Sequence, residues 1–196
     1  RTEYEWRDGE YVKTLDEGFW YEGPMALASD PPTLVANRWA FYADGTESGS
    51  TIIGSENTNP TTGSIEVDTT YQVRFDLEET SGNWSKDTTV QLEYNHESGG
   101  WNNVTATTAP VVAFSSANLT DAEDTTNRLT NSFTFDGTNE GVDEADGNAG
   151  GGTCDLNSTG AEFVFSFRIP STQVSDGDQI QLRFSVDGET ITETTW

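Results

Sequence analysis

Tyr71-Gln72-Val73-Arg74-Phe75-Asp76-Leu77-Glu78 alternates apolar and polar residues without a break. A period of two is the mark of a β-strand, because successive side chains of an extended chain point to opposite faces. Tyr71, Val73, Phe75 and Leu77 then share the buried face. The same rhythm returns in Thr89-Val90-Gln91-Leu92-Glu93-Tyr94, with Val90, Leu92 and Tyr94 inward. It returns again in Phe163-Val164-Phe165-Ser166-Phe167-Arg168-Ile169, where Pro170 ends the run because proline cannot donate to a ladder. A fourth run, Gln179 to Val186, places Ile180, Leu182, Phe184 and Val186 together.

Turn signals separate these runs. Ser98-Gly99-Gly100 predicts a hairpin into Trp101-Asn102-Asn103-Val104. Asp176-Gly177 precedes the fourth run, and Asp187-Gly188 predicts a second hairpin into Glu189 to Trp196. Shorter strands are expected at residues 34–42, 51–54, 64–67, 110–114 and 132–135. Helical periodicity is nearly absent, with one short capped turn at residues 118–124. Many short strands divided by turns predict an all-β fold: an antiparallel β-sandwich, jelly-roll-like, with long acidic loops.

Residues 1–30 read differently from 31–196, and the expected division is an N-terminal arm or exchanged strand followed by the sandwich domain. Arg1 to Arg7 alternates, with Tyr4 and Trp6 on one face. Asp8-Gly9 follows, then the aromatic cluster Phe19-Trp20-Tyr21 and the break Asp30-Pro31-Pro32. Glu10 to Asp16 reads as solvent-facing. Thr2-Glu3-Tyr4-Glu5-Trp6 also resembles the C-terminal Thr192-Glu193-Thr194-Thr195-Trp196. Chance in a Thr- and Glu-rich chain is one explanation. The other is that one end strand occupies an equivalent edge in a neighbouring copy, giving a directional joint through main-chain hydrogen bonds. Repeated head to tail, such a joint makes a filament or ring.

Charge bounds the partners. The 196 residues carry 34 acidic against 9 basic side chains, a net charge of −25. Such a surface repels nucleic acid and acidic partners, and high salt screens its self-repulsion. The composition therefore points to a salty, extracellular, halophilic setting. Hydrophobic residues make up only 33%, but aromatics at 11% supply the area for a thin core. No apolar run approaches the ~20 residues of a membrane-spanning helix. The first residue is Arg1 rather than Met, which fits a processed product or a fragment.

Few residues offer chemistry. Cys154, the lone cysteine, reads as a buried or loop residue, and His96, the lone histidine, as a solvated turn residue. With one of each, a zinc site is disfavoured. Asp136 to Asn148 packs oxygen ligands and glycines into one loop, so Asp136, Asp143 and Asp146 are the candidate ligands of a structural calcium, although the spacing does not match an EF-hand. A solvated acidic loop is the preferred reading, and no other cofactor is expected. Carboxylates paired for glycoside hydrolysis do not stand out among so many acids. Trp84 and Trp101 are candidates for stacking on sugars, against the plainer reading that Trp101 packs on its sheet. Four N-x-[ST] sequons make Asn83, Asn103, Asn118 and Asn157 candidate glycan sites.

A string of short motifs adds a resemblance. It runs through Arg38-Trp39-Ala40-Phe41-Tyr42-Ala43-Asp44-Gly45-Thr46-Glu47-Ser48-Gly49-Ser50, Glu56-Asn57-Thr58-Asn59, Arg74-Phe75-Asp76-Leu77-Glu78-Glu79-Thr80-Ser81-Gly82, Leu92-Glu93-Tyr94, Gly100-Trp101-Asn102-Asn103-Val104, Ser116-Ala117-Asn118-Leu119-Thr120 and Thr125-Thr126-Asn127-Arg128-Leu129. Over residues 34–190 the chain resembles a family of β-rich modules found in structural proteins of environmental tailed viruses and in some secreted microbial proteins. The resemblance implies an assembly or surface role without catalysis, and it supplies no catalytic residues. The chain departs from it in its acidity and its single-module length.

Together these readings predict a structural subunit of an extracellular assembly, a surface filament or a virion appendage or decoration. It would form a homopolymer by donor-strand exchange, with Thr2, Tyr4, Trp6, Phe19 and Trp20 at the joint. A monomeric carbohydrate- or cell-surface-binding module is the second expectation, and an enzyme the third.

Overall fold

The computed structural model describes residues 3–7, 10–14, 32–61, 63–84, 88–151, 154–186 and 191–193. The chain divides into two compact units, Arg1–Asp30 and Pro31–Trp196. In the first, β1 (Glu3–Arg7) and β2 (Glu10–Thr14) pair antiparallel, with Tyr4 opposite Lys13 and Trp6 opposite Tyr11. The second strand lies within the stretch Glu10 to Asp16, whose residues 15–16 fall outside the described residues. Tyr11 and Val12 are its only apolar residues and give too short a pattern to read.

The second unit contains β3 (Leu34–Ala36), β4 (Trp39–Ala43), β5 (Ile52–Ile53), β6 (Thr70–Glu79), β7 (Thr88–His96), β8 (Trp101–Asn103), β9 (Val112–Ala113), β10 (Val142–Asp143), β11 (Asn148–Gly151), β12 (Gly160–Arg168), β13 (Ile180–Val186) and β14 (Ile191–Glu193). One sheet runs β10-β12-β6-β3-β14, with β4 also on β6, β5 on β4 and β9 on β12. The other runs β11-β7-β13, with β8 also on β7. The pairings are antiparallel except β10 with β12 and β14 with β3. No helix occurs among the described residues. The protein is a β-sandwich.

The four predicted runs became β6, β7, β12 and β13. Their alternate apolar residues build the core: Tyr71, Val73, Phe75 and Leu77 from β6, Val90, Leu92 and Tyr94 from β7, and Phe163, Phe165 and Phe167 from β12 are all buried. Phe75 meets Phe184 of the opposite sheet with ring centroids 4.9 Å apart. A tilted pair at that distance adds roughly 0.5–1.5 kcal/mol beyond its area burial.

Four local expectations are corrected. The run at 34–42 breaks into β3 and β4, because the amides of Asn37 and Arg38 turn aside to donate to Asp76 Oδ1 at 2.7 and 2.8 Å. Residues 64–67 are irregular, and 132–135 contributes a single bridge, Phe135 to Gly160. The stretch 118–124, expected to make a short turn, does so at Asp121 and Ala122. The acidic stretch after Asp136 holds β10 and β11. They are joined through Gly147 at φ 87°, where a Cβ would lie 2.1 Å from the Val104 carbonyl oxygen. Finally, β14 does not fold back on β13 as a hairpin. It crosses to the first sheet and runs parallel to β3.

The alternation of β6 hides a second packed face. Gln72, Arg74 and Asp76 are 1%, 1% and 0% exposed. Gln72 donates to the Gly45 carbonyl and Arg74 to those of Glu47 and Thr126, while Asp76 accepts from Asn37 and Arg38. Arg74 Nη2 contacts Glu47 Oε1 at 2.5 Å and Nη1 contacts Glu162 Oε2 at 2.6 Å. Glu162 also accepts the amides of Arg128 and Leu129, and Glu47 that of Thr126. Arg128 caps the Tyr42 ring at 4.8 Å and donates to the Ser50 carbonyl. Buried charges persist only when paired and hydrogen-bonded, and Arg74, Glu47 and Glu162 meet that condition.

Candidate functional site

The distinctive geometry lies on the smaller sheet. Leu92 of β7 directs its amide to the Gly147 carbonyl and its carbonyl to the Val104 amide, both away from β13. Phe184, opposite Leu92, therefore points its own amide and carbonyl away from β7. By the same alternation, Ile180, Leu182 and Val186 do likewise. Among the described residues no strand pairs with that outer edge of β13. An edge row of main-chain donors and acceptors is a template for another strand.

Beside this edge the sheets part to leave a cleft of about 400 Å³, lined by Trp39, Phe41, Phe75 and Phe167 from one sheet and Ile180 and Leu182 from the other. The partial exposure of Ile180 and Leu182, set against the burial of Phe184 and Val186 on the same face, follows from that opening.

Asp178 stands on the lip of the cleft. His96 Nε2 lies 3.1 Å from Asp178 Oδ2, and Glu97 completes a group whose donor atoms all fall within 4.8 Å of one another. The end of β7 and the start of β13 hold them in register, with His96 opposite Ile180 and the Glu97 amide bonded to the Gln179 carbonyl. The Ser175 amide donates to Asp178 Oδ2 at 2.8 Å and the Gln179 amide to Glu97 Oε1 at 2.5 Å. The Ser175 amide and His96 hold the Asp178 carboxyl below its ordinary range. His96 is half-buried and partnered, not the solvated turn residue expected. Its partner is remote in sequence, so only the β7–β13 pairing reveals the contact.

The calcium candidates do not converge in this way. Asp136 Oδ1 accepts the Thr138 amide. Asp143 is buried in β10 and accepts the amides of Ala145, Asp146 and Gly147. Asp146 accepts from Asn148. Each carboxylate closes its own local turn, and the three do not form a ligand group among the described residues. Burial pushes the Asp143 carboxyl up to about 7, with the nearby Asp146 charge adding to the rise against the amide bonds.

Of the joint residues, Tyr4 and Trp6 lie in β1. Thr2, Phe19 and Trp20 fall outside the described residues. Asn103, Asn118 and Asn157 are exposed and Asn83 is half-buried. Asn118 already donates to Asp44 Oδ2. The two candidate sugar platforms differ. Trp84 is buried in the core, which corrects the stacking expectation there. Trp101 is 38% exposed, and the Arg183 guanidinium sits 4.2 Å from its ring centroid, fixed in turn by Glu93. Cys154 is fully buried, and burial pushes its thiol up to about 12. The chain matches no family model, no curated protein and no solved structure.

Proposed function

We propose that this chain is a structural subunit, without catalysis, of an extracellular assembly: a surface filament or a virion appendage of the kind its sequence resembles. Copies join by strand exchange, a strand from residues 1–30 of one copy adding to the outer edge of β13 in the next. The observation that carries this reading is the β13 edge, which has outward amides at Ile180, Leu182, Phe184 and Val186 and an apolar cleft alongside. Added strands gain main-chain hydrogen bonds, and the cleft supplies pockets for alternate side chains. The net charge of −25 keeps copies apart until salt screens it, which suits a halophilic, extracellular protein.

Sedimentation of the full chain in rising salt tests the reading. Polymers that disappear on deletion of residues 1–22 support it. A full chain that stays monomeric at every salt and protein concentration overturns it, as does a deletion variant that still polymerises. A monomer retained on a glycan column would favour the carbohydrate-binding alternative.

A further inference from the structure

We propose that His96, Glu97 and Asp178 form a binding site for one divalent transition-metal ion of the zinc class. The donor atoms come from two segments that are far apart in sequence, the end of β7 with the residue after it and the loop before β13, and they already lie within 4.8 Å of one another. A tetrahedral ion with bonds of ~2.0–2.1 Å needs ligand atoms about 3.3–3.4 Å apart. The 3.1 Å between His96 Nε2 and Asp178 Oδ2, a hydrogen bond in the metal-free chain, is close to this. Glu97 is exposed, and a rotation of its side chain closes the remaining distance.

The donor set selects the metal. One imidazole with two carboxylates suits zinc, nickel, cobalt or copper, whereas calcium and magnesium take oxygen ligands throughout. Two carboxylates match the charge of a divalent cation, and water completes the shell. The main-chain amides of Ser175 and Gln179 orient the two carboxylates, each through one oxygen. Glu97 Oε2 and Asp178 Oδ1 make no hydrogen bond to the described residues. Such outer bonds fix ligand direction before the metal arrives. A bound ion would tie the end of β7 to the start of β13 at the lip of the cleft. The site stands independently of the assembly reading.

The test is calorimetric titration of the metal-stripped full chain with zinc chloride, in excess magnesium to occupy scattered carboxylates. One equivalent should bind ahead of any weaker phase. His96→Ala should abolish that phase, and Asp178→Asn should weaken it about tenfold or more. Because the chain has a single histidine, its one imidazole NMR signal reports on the site directly. That signal should shift or broaden within the first equivalent, and substituting Asp136 and Asp146 by Asn should leave this unchanged. Circular dichroism in zinc-free buffer confirms that the variants fold. A zinc isotherm unaltered by His96→Ala, or an imidazole signal that moves only in large zinc excess, overturns the proposal.

Discussion

The two sheets of this sandwich solve opposite problems. The larger sheet is closed on both faces: β6 and β12 bury aromatics toward the core and an ion network away from it. The smaller sheet buries one face only, and its β13 carries an outer edge that no described strand covers. The first arrangement specifies a single structure. The second leaves main-chain groups, an apolar cleft and a histidine–carboxylate group along β13. The proposed joint and the proposed metal site both draw on the smaller sheet, and the larger one packs against it.

Breaking the ion network should have the largest effect. Arg74→Met leaves Glu47 and Glu162 buried without their cation and should cost about 3–5 kcal/mol in denaturant unfolding. Adding Glu47→Gln and Glu162→Gln should recover part of that loss. If Arg74→Met alone is neutral, the outer face of the larger sheet is not closed as described. On the inner face, Phe165→Ala should cost a similar amount, about 3–5 kcal/mol, through the cavity it leaves.

Acidity should shift the same balance by a smaller amount. Burial raises the Asp76 carboxyl to about 6, against the amide bonds from Arg38 and Asn37 that lower it. Its Oδ2 has no hydrogen-bond partner among the described residues. Asp143 is raised to about 7. Both folded values exceed the unfolded value of ~3.9, so the folded state holds these protons more tightly. Their favourable contribution is complete below about pH 4 and is lost as pH rises through 6 to 7. Glu79 works in the opposite sense. Burial raises it, but donors from Ser81, Ser158 and Gly82 outweigh burial and hold it at about 2. Its contribution is present above the ordinary carboxylate range and is lost as pH falls toward 2. Unfolding midpoints should therefore peak near pH 4 and fall as pH rises to about 7. Asp76→Asn should flatten that fall, and an unchanged slope would remove Asp76 as its cause.

The smallest change belongs to the smaller sheet. Trp101→Ala removes a half-exposed ring under Arg183 and should cost about 0.5–1 kcal/mol by the same unfolding measurement. A loss several times larger would mean that this face is more tightly packed than its exposure indicates.

The contrast between the sheets also explains what could be read from the residues alone. β6, β7, β12 and β13 were legible because each carries its core residues at a period of two, and that period names one buried face. It cannot show that the intervening Gln72, Arg74 and Asp76 are buried as well. The partners of Arg74, Glu47 and Glu162, lie 27 and 88 residues away from it. β10 and β11 escaped because Val142-Asp143 and Asn148 to Gly151 are too short and polar to show a rhythm. The Asp187-Gly188 signal described a local turn, whereas the destination of β14 depends on β3, at the far end of the domain. The histidine–carboxylate group was hidden for the same reason, since Asp178 reaches His96 only after β13 has paired with β7.

Amide hydrogen exchange on β13 tests the assembly reading most directly. Arg183 and Ser185 bond to β7, so their amides should be protected in dispersed and assembled chain alike. Leu182 and Phe184 point outward, and their amides should exchange readily when the chain is dispersed and become protected on assembly in high salt. Outward amides that exchange identically in both states, or that are already protected in the isolated monomer, would contradict the account.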